Sequence, residues 1–351
     1  MEPIVQELLD YLNESWTAFH AVDSSRRSLL EAGYVELREL DSWELAPGGK
    51  YFFTRNMSSL VAFAVGGAAG PGAGFTCVGA HTDSPCPKLK PISKLVKGGY
   101  LQLSVAGYGG GLWHTWYDRD LSVAGRVIVQ QEGGTAVHKL VKIARPILRI
   151  PTLAIHLSRE GGTAQGFKFN LQSQFPPVLG TAAREALERP RGEGAAKGQK
   201  HHPLLLELLA EELGCSVDSI VDFELQLCDT QPSAVGGALN EFIFSGRLDN
   251  LASCFCAVKA LTESDASLAG ESNVRMLALF DNEEVGSTSV MGAGGRESAA
   301  PPLSRHAHTL DLPPTLKFHC ICSDHDGYDE AGHGGDGCVC QQRQQRHGCH
   351  R

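Results

Sequence analysis

Near the start of the chain, apolar residues recur at helical spacing. Ile4, Leu8, Leu9 and Leu12 fall on one face, and a second helix is predicted from near Thr17 to Ala32, with Gly33 as its stop. The pattern then shifts to short runs rich in aromatic and β-branched residues. Lys50–Thr54, Leu60–Val65 and Phe75–Ala80 read as strands, with a glycine-rich turn from Gly66 to Gly74 between the last two. From about Gly98 the runs become shorter and partly alternating: Leu101–Val105, Val123–Gln130 and Val137–Ile143 suggest antiparallel strands. Glu188–Gln199, rich in Gly, Ala, Arg and Lys, reads as an exposed loop. Leu204, Leu205, Leu208 and Leu209 then mark one apolar helix face, and Phe223, Leu225 and Leu227 alternate as in a strand. Phe242-Ile243-Phe244 and a helix from Asn250 to about Thr262 restore the α/β pattern. Val274–Phe280, apolar except for Arg275, is the run expected of a central parallel strand.

These elements predict an α/β fold, a mixed sheet flanked by helices, built from residues 1–91 and 237–300. A β-rich insertion occupies 92–236. Beyond Ser323 the apolar residues other than cysteine are Tyr328, Ala331 and Val339. Such a composition buries too little surface to offset the entropy of ordering, so 301–351 is expected to be a divergent, disordered Cys/His/Gly-rich tail.

Composition narrows the function classes. A net charge of −9 argues against nucleic acid or an anionic membrane as the main partner. No apolar run approaches the ~20 residues that span a bilayer. Met1-Glu2-Pro3-Ile4 lacks the basic-then-apolar pattern of a secretory signal, so a cytoplasmic location is expected, with a vacuolar or lysosome-like compartment as the other option. Six of the 11 cysteines are scattered before residue 300 and read as reduced and buried; five crowd between Cys320 and Cys349.

Three clusters could carry chemistry. His81-Thr82-Asp83-Ser84-Pro85 follows the Phe75–Ala80 strand, so a His and an Asp two residues on stand at a sheet edge. That pairing suits a metal ligand and the carboxylate that orients it. Asp249 precedes a helix, and Asp281-Asn282-Glu283-Glu284 follows the Val274–Phe280 strand. Ligands in open α/β sheets gather outside the carboxyl ends of strands. Adjacent glutamates project differently, so one can bind metal while its neighbour reaches a water that the metal acidifies for attack on an amide. Each piece has a plainer reading too: Asp249 as a helix cap, Glu283 and Glu284 as a solvated pair, His81 as a structural histidine.

Taken with the surrounding motifs, the chain resembles the aspartyl aminopeptidases, a family of co-catalytic zinc metallopeptidases. The resemblance rests on Tyr51-Phe52-Phe53-Thr54-Arg55-Asn56, Gly79-Ala80-His81-Thr82-Asp83-Ser84-Pro85, Tyr108-Gly109-Gly110-Gly111-Leu112-Trp113, Trp116-Tyr117-Asp118-Arg119-Asp120-Leu121, Arg247-Leu248-Asp249-Asn250-Leu251 and Asp281-Asn282-Glu283-Glu284-Val285-Gly286-Ser287, in order, and covers roughly residues 5 to 290. It implies that His81 binds one zinc, Asp249 bridges two and Glu284 binds the second. Glu283 would be the general base, and Asp83 would orient His81. His156 resembles a family histidine that reaches a neighbouring subunit's active site. Manganese or cobalt are possible substitutes for zinc. The insertion would be the family's dimerisation domain within a large homo-oligomer, and the reaction would remove N-terminal Asp or Glu from peptides.

After about Val290 the resemblance ends. The family's Ser-Ala-Asp-Met-like strand end and its distal histidine, which supply one further ligand to each zinc, have no counterpart; Asp324, Asp326, His319 and His325 stand in other contexts. The end of the chain is therefore expected to be a frameshifted, alternatively spliced or misassembled segment. A zinc module built on Cys320-x-Cys322 and Cys338-x-Cys340 departs from the usual C-x₂₋₄-C spacing. The alternative function is a catalytically dead family member acting as an oligomer subunit or scaffold.

Overall fold

The computed structural model describes residues 2–157, 167–188 and 199–294. The expectations for the Glu188–Gln199 loop, past its first residue and short of its last, and for the tail from 301 therefore lie outside the described residues. The chain forms two compact units, one of residues up to Ala21 with Ser84–Asp249, the other of Val22–Asp83 with the residues from Asn250 on. The sequence pattern places boundaries at 91/92 and 236/237; packing places them at 83/84 and 249/250 and groups residues 1–21 with the β-rich unit.

In the second unit, the strands β1 (Val35–Glu36), β2 (Lys50–Arg55), β3 (Ser59–Val65), β4 (Phe75–His81) and β13 (Val274–Phe280) form one sheet in the order β1-β2-β3-β13-β4. β13 is an interior strand, fourth of the five, rather than the central one its apolar run suggests; any interior place buries both faces. It is antiparallel to β3 and parallel to β4. Both of its faces are buried. Val274 and Met276 pack with Trp43, Phe53 and Phe63, while Leu277 and Leu279 on the opposite face are 1% and 0% exposed. Burial of each such leucine is worth about 1.5–3 kcal/mol. Arg275, the one charged residue of the strand, is met by Glu271 at 3.1 Å. The helix α5 (Leu248–Glu263) buries Leu251, Cys254, Ala257, Val258 and Leu261, the i, i+3, i+4 stripe of a core-facing helix.

The parallel register is what matters for function. It sets Phe280 opposite His81, so β4 and β13 end together and the chain beyond each emerges at the same sheet edge. Thr82 fixes the junction. Its N–H donates to the Phe280 carbonyl at 2.7 Å, and its hydroxyl donates to the Ser58 carbonyl at 2.7 Å.

The β-rich unit is a six-stranded antiparallel sheet in the order β8-β7-β10-β5-β6-β9. Its strands are β5 (Cys86–Lys97), β6 (Tyr100–Tyr108), β7 (Leu121–Gln130), β8 (Ala136–Lys142), β9 (Val178–Thr181) and β10 (Ile220–Asp229). The helix α4 (Pro203–Leu213) buries Leu205 and Leu209 in a core with Leu103, Leu121, Val123, Val127 and Leu225, and Gly214 closes it in the left-handed conformation. The helix α1 (Pro3–Glu14) leads to Trp16, which packs on Ala124 of β7 and Cys228 of β10; this contact is why the N-terminus groups here. β5 has no counterpart among the predicted strands. Pro87 and Pro91 interrupt its pattern, and its pairing with β6 shifts register between Leu89 and Lys94.

Candidate metal centre

The turn after β13 is built by residues that tolerate a positive φ. Asn282 sits at φ 66° and Gly286 at φ 101°, on either side of a single 3₁₀ turn, Glu283–Val285. The Ser289 hydroxyl donates to Asn282 Oδ1 at 2.8 Å, and the Ser287 N–H donates to the Asn282 carbonyl at 2.8 Å, which folds the following loop back on the turn.

This turn meets the end of β4. One donor atom each from His81, Glu283 and Glu284 lies within 4.8 Å of the other two. His81 is buried, and the two glutamates are half-buried. His81 Nε2 stands 3.7 Å from Glu283 Oε2. The other ring nitrogen, Nδ1, is 3.0 Å from the Asp83 main-chain carbonyl and 3.3 Å from the Asp83 carboxylate. An Nδ1–H held in this way leaves Nε2 with its lone pair toward the glutamates, the orientation a metal ligand needs. The Asp83 carboxylate also accepts two main-chain hydrogen bonds, from Glu283 N–H at 3.2 Å and Glu284 N–H at 3.1 Å.

An imidazole nitrogen with two carboxylate oxygens is a donor set that suits zinc, and manganese or cobalt also accept it. Cys254 is not part of it. Burial pushes its thiol well above the ordinary cysteine value, so it stays protonated and hydrogen-bonds the His81 carbonyl at 3.0 Å.

The remaining sequence candidates fall elsewhere. Asp249 lies in the first turn of α5, in the β-rich unit's share of the chain, and is outside this three-residue group. Its main-chain carbonyl accepts the Ser84 hydroxyl at 2.7 Å. Beside it, Arg247 adopts φ 62°, and the buried Arg247 Nε and Asn250 Oδ1 have no hydrogen-bond partner among the described residues. His156 lies on an exposed 3₁₀ turn, Ile155–Leu157, of the β-rich unit. The sequence reading missed the work of Thr82 and Ser84. A hydroxyl residue on either side of Asp83 is the signal that could have found them.

Residues 11–299 match the family described as aminopeptidase I zinc metalloprotease (M18). A probable aspartyl aminopeptidase of Ricinus communis is 53% identical over 315 residues, covering 83% of this chain and 64% of that protein. The chain thus spans just under two thirds of that relative's length. Among solved structures, the chain resembles one of an Ape4 and Nbr1 complex (TM-score 0.79, 45% identity, 83% of this chain and 56% of the other). It also resembles the S. cerevisiae mApe1 dodecamer (TM-score 0.73, 28% identity, 90% and 68%).

Proposed function

Because the chain belongs to the aminopeptidase I zinc metalloprotease family, M18, we propose that it is a metal-dependent aminopeptidase acting on peptides with an N-terminal Asp or Glu. The observation that carries this reading is the convergence of His81, Glu283 and Glu284 at the paired ends of two parallel strands. His81 and Glu284 would hold the zinc. When bound, zinc polarises the scissile carbonyl and acidifies water toward neutrality.

The protein's own groups do the rest. Glu283 is the general base: its carboxylate takes a proton from the attacking water and returns it to the departing amine. The Asp83 carboxylate accepts the Glu283 N–H and so holds the turn that carries the base. The preference for acidic residues follows the naming of the relatives, which are called aspartyl aminopeptidases. A neighbouring structure is named a dodecamer, and on that ground the β-rich unit is proposed as the dimerisation module of a homo-oligomer. His156, on an exposed segment of that unit, would reach a partner's substrate. Among the described residues no helix is long and apolar enough to cross a membrane, and a cytoplasmic setting is part of this proposal.

The test is hydrolysis of aspartyl and leucyl chromogenic substrates by the metal-stripped chain, reloaded with zinc, manganese or cobalt. Metal-dependent release favouring the aspartyl substrate supports the reading. Equal or absent release from folded protein contradicts it.

A further inference from the structure

The first N–H groups of a helical turn have no partner within it and must find one elsewhere. At Glu283–Val285 the residue that should cap the turn, Asn282, makes no side-chain cap. The Asp83 carboxylate does this work from the end of β4. Oδ1 accepts the Glu283 N–H and Oδ2 accepts the Glu284 N–H, so each oxygen takes one amide of the glutamate pair. Asp83 is 4% exposed, where an unmet acceptor or donor is costly. The His81 ring has another holder: the Asp83 main-chain carbonyl is nearer to Nδ1, at 3.0 Å, than the carboxylate, at 3.3 Å.

We infer that the Asp83 side chain is the positioning group for the Glu283–Glu284 turn, and that the Asp83 main-chain carbonyl, the nearer acceptor, suffices by itself to set the tautomer of His81. One residue thereby aligns the donors from two strands by two separate parts of itself. The inference deepens the proposed metal site and rests on that reading only for its affinity arm.

Asp83→Asn separates the two parts. The amide keeps the main-chain carbonyl, but turns an NH₂ toward one of the two N–H donors. Zinc affinity of the full chain, measured by chelator competition, should fall about tenfold or more, as for other groups that support metal ligands. In a Glu284→Gln background the same change should cost less than about twofold, because the group it positions is already altered. Additive losses would overturn the inference. Nitrogen-15 spectra of the metal-free chain, with the His81 signal assigned by its loss in His81→Gln, should show the Nδ1–H form unchanged in Asp83→Asn. A switch of tautomer would overturn the inference.

If Asp83→Asn does not fold, amide exchange in the unaltered chain decides. Glu283 and Glu284 N–H should be protected, and exchange at the rate of an open chain contradicts the clamp. Failure of the unaltered chain to bind zinc would strike the proposed function instead, and leave the tautomer and exchange results to judge Asp83.

Discussion

At the scale of single residues, the site works by dividing tasks among atoms a few ångströms apart. Glu283 and Glu284 are neighbours in sequence, and each brings a carboxylate oxygen into the group around His81. Glu283→Gln should lower kcat by about 10²–10⁴-fold, the range of a general base, with zinc still bound. Loss of the metal instead would make Glu283 a ligand. His81→Gln should remove the zinc, as metal analysis of the dialysed protein would show. The histidine and both glutamates were legible from the sequence because each follows an apolar run that ends in a polar cluster. The Asp83 contacts to the two amides were not, because they join positions 200 and 201 residues apart and only the β4–β13 register brings them together.

At the scale of elements, the strands that define the two units were legible where their burial leaves a periodic trace. β13, buried on both faces, reads as an unbroken apolar run; β10 alternates because its Leu225 and Leu227 point into one core. β5 was missed, since its two prolines and its register shift erase the period of two. The β7–β10 pairing depends on one glycine. A Cβ at Gly125 would lie 2.0 Å from the Glu224 carbonyl oxygen, inside van der Waals contact with rigid backbone. Gly125→Ala should therefore destabilise the chain by about 3 kcal/mol, the upper end of overpacking, read from the shift of its denaturation midpoint.

The segment that carries His156 is tied down by a second motif. The Asp118 carboxylate accepts both the Thr152 N–H at 3.0 Å and the Thr152 hydroxyl at 2.6 Å. Those bonds hold the Asp118 carboxyl below its ordinary value of 3.8. A folded-state value below the unfolded one means the tie is complete above about pH 4 and is lost as acid takes the pH through the lowered value. The protection of the Thr152 amide, the slowing of its exchange relative to an open chain at the same pH, should fall over that acid range, and Asp118→Ala should abolish that change; a wild-type protection that does not change with pH would contradict the tie.

At the scale of the whole molecule, the α/β unit supplies the donors and the β-rich unit supplies the surface proposed for assembly. Leu153, Ile155 and Leu157 are exposed together on the latter. Mass measurement in solution should give a multiple of the 37.6 kDa chain, and a strict monomer at micromolar concentration would contradict that role. The fold class was legible from the alternation of element types. The split at 83/84 was not, because β5 was invisible to the pattern and the packing of Trp16 on Ala124 and Cys228 is a long-range contact. The central claim is that His81, Glu283 and Glu284 together form a metal centre. The most direct measurement is anomalous diffraction at the zinc edge from crystals grown with zinc. The account predicts a peak about 2.0–2.1 Å from His81 Nε2 and adjoining the Glu284 carboxylate. Zinc density elsewhere in the chain, with none at His81, would contradict it.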